Sequence, residues 1–123
     1  VEKFEELTGK SVDKSGGSGI IGVTKNANGK EVMIVEHTDI NGKPNSITQK
    51  ESSKGGIERN YYDESGKQIK QIANNNHGKP KKHPYGKNGE HAHDYIYDES
   101  GNLIDRPMRE LTNSERTENG DIL

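Results

Sequence analysis

Ile57-Glu58-Arg59-Asn60-Tyr61-Tyr62-Asp63-Glu64-Ser65-Gly66-Lys67-Gln68-Ile69-Lys70-Gln71-Ile72-Ala73 decides the fold. Ile57–Tyr62 and Lys67–Ala73 read as two strands, and Asp63-Glu64-Ser65-Gly66 as the turn between them. Ile69 alternates with polar neighbours, the pattern of a half-buried strand. Tyr61 and Tyr62 are adjacent and so face opposite sides, one toward a core and one toward the surface. The motif returns 35 residues later as Tyr97-Asp98-Glu99-Ser100-Gly101-Asn102-Leu103-Ile104. Each copy is a strand, an Asp-led turn with Gly at the left-handed position, and a second strand. Two copies are hairpin reuse, because a solenoid needs about three or more.

Upstream, Ile20–Thr24 and Glu31–His37 are β-branched runs separated by Asn26-Ala27-Asn28-Gly29, a hairpin signature. His37 ends the second run and reads as a strand-end hydrogen bonder. Thr38–Pro44 is a turn with Asn41-Gly42 at its centre, and Ser46–Glu51 is a further strand. Residues 1–19 read as a short N-terminal helix through Phe4 and Leu7 followed by a flexible Gly/Ser linker, and 20–123 as a single domain. Downstream, Pro107 ends a strand, and Thr112-Asn113-Ser114-Glu115 is a capping box opening a helix over about 113–119, stopped by Gly120. The fold class is therefore α+β: a twisted antiparallel sheet with short helices near the termini.

Composition narrows the function classes. Only 25% of the 123 residues are apolar, with one Phe and no Trp, so the core is thin. Eighteen Lys and Arg nearly cancel 20 Asp and Glu, which argues against disorder driven by net charge. No apolar run approaches the ~18 residues of a helical membrane span. The absence of Cys excludes disulfides, thiolate metal sites and a Cys nucleophile. No signal-peptide pattern opens the sequence, and a first residue of Val reads as a module of a longer protein.

Chemistry concentrates in 74–94, which holds four of the five His. Residues 74–90 form a Gly- and Pro-rich loop carrying His77, Lys79, Lys81, Lys82, His83, Tyr85 and Lys87. From Glu90 a strand begins, with His91, His93, Tyr95 and Tyr97 on one face and Ala92, Asp94 and Ile96 on the other. Cleaving RNA through its own 2′-hydroxyl needs a base, an acid and a cation on the phosphate. Histidine serves either proton role near neutrality, and Lys or Arg stabilises the phosphorane. The expected catalytic set is His91 and His93 as base and acid, Lys82 and His83 holding the phosphate, and Tyr95 orienting or stacking. The expected substrate-binding set is His77, Lys79, Lys81, Tyr85, Arg106 and Arg109, with the two Arg as a second phosphate clamp or as salt links to the acidic segment 98–123. The expected arrangement leaves the His91 and His93 rings solvent-accessible beside the lysine-bearing loop.

Two alternatives stand beside this one. His77, His83, His91 and His93, joined by Glu90 or Asp94, have a loose metal-ligand spacing for zinc or another divalent ion in a metal-dependent nuclease. The interleaved Lys favour phosphate over a second cation, so no cofactor is the first expectation. The other is a non-catalytic interaction module of a phage or cell-surface protein.

The Tyr-Asp-Glu-Ser-Gly hairpins resemble the tyrosine–aspartate repeats of Rhs-type proteins. The run from Ile69-Lys70-Gln71-Ile72 through Asn76-His77-Gly78-Lys79-Pro80 to His83-Pro84 and His91-Ala92-His93-Asp94 is similar to the ends of bacterial polymorphic toxins, including LXG and contact-dependent-inhibition proteins. The likeness covers about 57–123 and carries no residue-by-residue transfer. It implies a toxin module for interbacterial competition, often a ribonuclease of the barnase, EndoU, colicin or RelE group. It also implies secretion or cell-surface delivery as part of a larger protein, action in the target-cell cytoplasm, and a cognate immunity protein. That partner is expected to be acidic if it covers the Lys/His loop.

Overall fold

The computed structural model describes residues 19–76 and 85–123. In chain order the strands are β1 (Ile20–Lys25), β2 (Glu31–Val35), β3 (Ile47–Glu51), β4 (Ile57–Tyr62), β5 (Gln68–Ala73), β6 (His91–Asp94), β7 (Ile96–Tyr97), β8 (Leu103–Asp105) and β9 (Met108–Arg109). One helix, α1 (Asn113–Glu118), follows. Seven strands form a sheet in the order β1-β2-β3-β4-β5-β6-β9, and β7 and β8 form a separate two-stranded sheet. The α+β class holds. The expected N-terminal helix and linker lie outside the described residues, apart from Gly19. Among the described residues no helix is long and apolar enough to cross a membrane.

Two expectations need correction. The sheet is mixed rather than wholly antiparallel, because β2 and β3 pair in parallel. The chain between them passes the turn region of β4–β5, where Gly42 N donates to Gly66 O (2.7 Å) and Gln68 N to Ile40 O (2.8 Å). The strand expected to run from Glu90 through Tyr97 breaks after Asp94. Asp94 N donates to Pro107 O (3.0 Å) and Tyr95 N to Ile69 O (3.0 Å), the last bonds in register with β9 and β5, and Ile96–Tyr97 then pairs with β8.

The two Asp-led turns are built alike. Asp63 Oδ1 accepts from the amides of Ser65 (2.8 Å) and Lys67 (3.0 Å), and Asp98 Oδ1 accepts from those of Ser100 (2.9 Å) and Asn102 (2.9 Å). Gly66 and Gly101 take φ of 84° and 86°, the left-handed region an L side chain avoids. The first turn joins β4 to β5 and the second joins β7 to β8. Lys67 Nζ bridges them, donating to Gly101 O (3.0 Å) and lying 4.9 Å from the Tyr97 ring centroid.

Register separates the faces of the large sheet. One face carries Arg59, Tyr61, Lys70, Ile72, Ala92, Asp94 and Arg109. The C-terminal segment covers it. Leu111 packs on Ile72 and Ala92 with Tyr61 beside them, a small apolar cluster. Polar contacts do the rest. Arg59, 1% exposed, donates to Gln49 Oε1 (2.9 Å), Asn119 Oδ1 (3.0 Å) and both carboxylate oxygens of Asp121 (2.9 and 2.6 Å). Glu115 accepts from Arg109 Nη1 and Nη2 (both 2.8 Å) and pairs with Lys70 Nζ (2.9 Å). Tyr61 Oη donates to Glu118. The capping box forms as expected: Glu115 N donates to Thr112 Oγ1 (3.1 Å) and Thr112 N to Glu115 Oε1 (2.9 Å). Neither tyrosine is a surface residue. Tyr61 is half-buried on this face, and Tyr62 is buried on the other.

Candidate functional site: the histidine face of the sheet

The opposite face carries the site. Thr48, Asn60, Gln71 and His93 occupy one row across β3, β4, β5 and β6, and Met108 of β9 continues it. Lys50, Glu58, Ala73 and His91 occupy the neighbouring row. The period of two therefore puts both imidazoles on one face, as expected. Their ring centroids are 5.0 Å apart and the planes meet at 86°, edge to face. His91 Nδ1 lies 2.8 Å from Gly89 O. A carbonyl can only accept, so Nδ1 carries the proton and Nε2 is the acceptor of the neutral ring.

The rings are not solvent-accessible as expected. His91 is 0% exposed and His93 6%. β6 lies inside the sheet between β5 and β9, and the residues just before it, Gly89 and Glu90, are buried too. Of the two rings, His93 is the one with residual exposure.

A hydrogen-bonded amide chain runs beside His93. Asn60, 0% exposed, accepts on Oδ1 from Gln68 Nε2 and Gln71 Nε2 (both 2.9 Å). Its Nδ2 donates to Thr38 Oγ1 (3.2 Å) and Thr48 Oγ1 (3.4 Å). These bonds fix every amide orientation. Gln71 must then present Oε1 outward, where it accepts from Arg106 Nη2 (3.0 Å). Arg106 Nε donates to Tyr95 Oη (2.9 Å), and the guanidinium lies 5.3 Å from that ring's centroid.

Arg106 is therefore held by neutral groups. Among the described residues, the guanidinium groups of Arg59, Arg109 and Arg116 meet carboxylates and that of Arg106 meets none, while the Arg106 backbone N–H donates to Asp105 Oδ1 (2.8 Å). Its guanidinium forms no ion pair among the described residues, and Arg106 is exposed on the face of the buried histidines, through Gln71, which pairs with His93. This is a place where an anionic oxygen gains from a cation that is already oriented.

The remaining expected site residues separate clearly. Arg109 belongs to the other face and does not join a phosphate clamp. All five of its N–H donors are committed, to Asp94 (2.7 and 3.1 Å), Glu115 (2.8 Å twice) and Glu110 O (3.1 Å). These contacts hold its pKa above the ordinary arginine range. The salt link to the acidic segment is the role the geometry supports. Tyr85 is half-buried at the start of the turn before β6. His77, Lys79, Lys81, Lys82 and His83 lie outside the described residues. Of the four-histidine metal set, only His91 and His93 are therefore described. The carboxylates offered to that set are engaged elsewhere. Asp94 pairs with Arg109, and Glu90 accepts from Arg116 Nη1 (2.8 Å) and from the amides of Asn88 (2.8 Å) and Lys87 (3.3 Å). Burial pushes the Glu90 pKa up, but these donors outweigh it and hold the carboxyl at about 2. Among the described residues no group of three or more His, Asp or Glu could hold a metal ion.

Asn60, Gln68 and Gln71 escaped the sequence reading. Their signal is the polar residue at a strand centre, which alternation alone assigns to solvent. Compared with known proteins, the chain matches no family model, no curated protein and no solved structure.

Proposed function

We propose that the histidine face cleaves RNA by metal-independent transesterification. The observation that carries the reading is an imidazole pair on the same face as an arginine whose guanidinium meets no carboxylate among the described residues. His93, the more exposed ring, takes the 2′-hydroxyl proton. The freed oxygen attacks phosphorus, the bond from phosphorus to the 5′ oxygen breaks, and the leaving oxygen gains a proton. Tyr95 Oη accepts from Arg106, so it keeps its own proton to donate to that oxygen. Arg106 stabilises the charge that builds on the phosphorane. His91, wholly buried and tethered to Gly89 O, is a positioning residue that holds the His93 ring. Lys82 and His83 remain the proposed phosphate holders, and His77, Lys79, Lys81 and Tyr85 the proposed substrate-binding residues of the same stretch of sequence. In this reading the chain is the effector part of a larger delivered protein, acts in a competing cell's cytoplasm and is neutralised by an acidic immunity partner. The support for that setting is the likeness of its hairpins and His/Lys run to polymorphic toxin ends.

The test is cleavage of single-stranded RNA by purified protein, with the product ends identified. The expected product carries a 2′,3′-cyclic phosphate and forms equally well in chelator. His93→Ala is expected to lower the rate at least a hundredfold, within the usual range of about 10²–10⁴ for a general base. Expressed in a bacterial cytosol, the wild type is expected to arrest growth and His93→Ala to be tolerated. Chelator-sensitive cleavage, or full activity in His93→Ala, refutes the mechanism; RNA left intact by the wild type refutes the function.

A further inference from the structure

We infer that a cleft at the far end of the histidine face is a second nucleotide subsite, binding a phosphate of the same RNA strand away from the scissile one. The inference rests on the proposed RNA cleavage for its choice of ligand. A cleft of about 440 Å³ opens at the β3–β4 hairpin, walled by Lys50, Ser52, Lys54, Ile57, Glu58 and Asn75. Its size falls within the roughly 300–1,000 Å³ of small-molecule sites.

Register ties the cleft to the histidines. Lys50 pairs with Glu58, Glu58 with Ala73, and Ala73 with His91, so Lys50 and His91 close the two ends of one row. Three strand spacings of ~4.8 Å put their Cα atoms about 14 Å apart. A strand lying across the sheet at His93 and Arg106 reaches the cleft only through its neighbouring nucleotides.

The chemistry of the walls suits a nucleotide. Among the described residues the lining holds two lysines, Lys50 and Lys54, and one carboxylate, Glu58, a net positive set. Ser52 Oγ accepts from the amides of Lys54 (3.2 Å) and Gly56 (3.1 Å), which holds the turn and leaves the hydroxyl proton to donate. The Asn75 amide is packed against Gly56, where an added Cβ would come within 2.8 Å of its Nδ2. The wall is thus assembled without a ligand. Lys50, Lys54 and Ser52 supply donors for phosphate oxygens.

The test measures binding of non-cleavable 2′-O-methyl RNA, as a dinucleotide and as a longer oligonucleotide, by fluorescence anisotropy over a salt series. The longer RNA is expected to bind wild type more tightly. In Lys50→Gln/Lys54→Gln that length advantage is expected to fall about tenfold, and the salt slope by about 1.4, two contacts at ~0.7 each on a single strand. Lys54→Gln alone, in an exposed turn, repeats the measurement should the double variant not fold. A length advantage and slope unchanged by both variants overturn the subsite, as does a wild type that gains nothing from length. Cleavage by wild type reports separately on the histidines. Cleavage with an unchanged length advantage sinks the cleft alone; lysine-dependent binding without cleavage sinks the proposed function alone.

Discussion

Replacing Glu115 by Gln removes one charge from the joint between the helix and the sheet. The carboxylate is 5% exposed and accepts from Arg109 twice, from Lys70 and from the Thr112 amide. Burial alone would raise its pKa, but those donors win and bring it from 4.5 down to about 2. At ~1.4 kcal/mol per tenfold change in proton affinity, that difference contributes about 3 kcal/mol to folding at neutral pH. The sign follows from the direction. A carboxyl whose folded pKa is depressed stabilises above its unfolded value and loses that contribution as pH falls through the folded value. Wild type and Glu115→Gln should therefore differ by about 3 kcal/mol at pH 7, with the gap closing between about pH 4.5 and 2. Urea unfolding at several pH values reads this. With a slope of roughly 1–3 kcal/mol per molar, the midpoint falls by at least about 1 M at pH 7. Glu90 titrates in the same window in both proteins and cancels in the difference. Equal midpoints at pH 7, or a gap that persists undiminished at pH 2, would refute the reasoning.

Two further expectations concern the scaffold of the site. Asn60→Leu strands the Gln68 and Gln71 amides in a buried setting at about 1–3 kcal/mol each, so thermal unfolding should show a loss of about 2–5 kcal/mol. A loss under 1 kcal/mol would mean the amide chain is not a unit. The two Asp-led turns should respond unequally to Gly→Ala. Both pay roughly 1 kcal/mol for a left-handed φ. A Cβ at Gly66 would lie 2.4 Å from the Gly42 carbonyl oxygen, whereas at Gly101 its nearest neighbour is the flexible end of Lys67 at 3.4 Å. Gly66→Ala should unfold at a clearly lower temperature than Gly101→Ala, and matched midpoints would contradict the packing.

The first five strands were readable because each is a short β-branched or alternating run ended by Asn, Asp, Gly or Ser, a local signal. The capping box at Thr112 is local too. The parallel pairing of β2 with β3 was not readable, since it depends on where the connection past Gly42 lodges against the β4–β5 turn. The break after Asp94 was hidden as well: the residues alternate without interruption through Tyr97, yet Ile96–Tyr97 changes partner from β5 to β8. Period two placed His91 and His93 on one face, but alternation carries no information on how deeply a face is covered, and both rings are buried. Arg106 and Arg109 look interchangeable on either side of Pro107. Three positions apart, they end on opposite faces, as alternation along an extended segment requires, and Arg109 is the one in register with Ala92 of β6 and bonded to Glu115.

The sheet is insulated mainly by amides, carboxylates and guanidinium groups rather than by hydrocarbon. Exposing apolar surface raises the heat capacity of unfolding and exposing polar surface lowers it. A domain that hides Arg59, Asn60, Gln68, Gln71, Glu115 and Asn119 therefore has a shallow stability curve for its length.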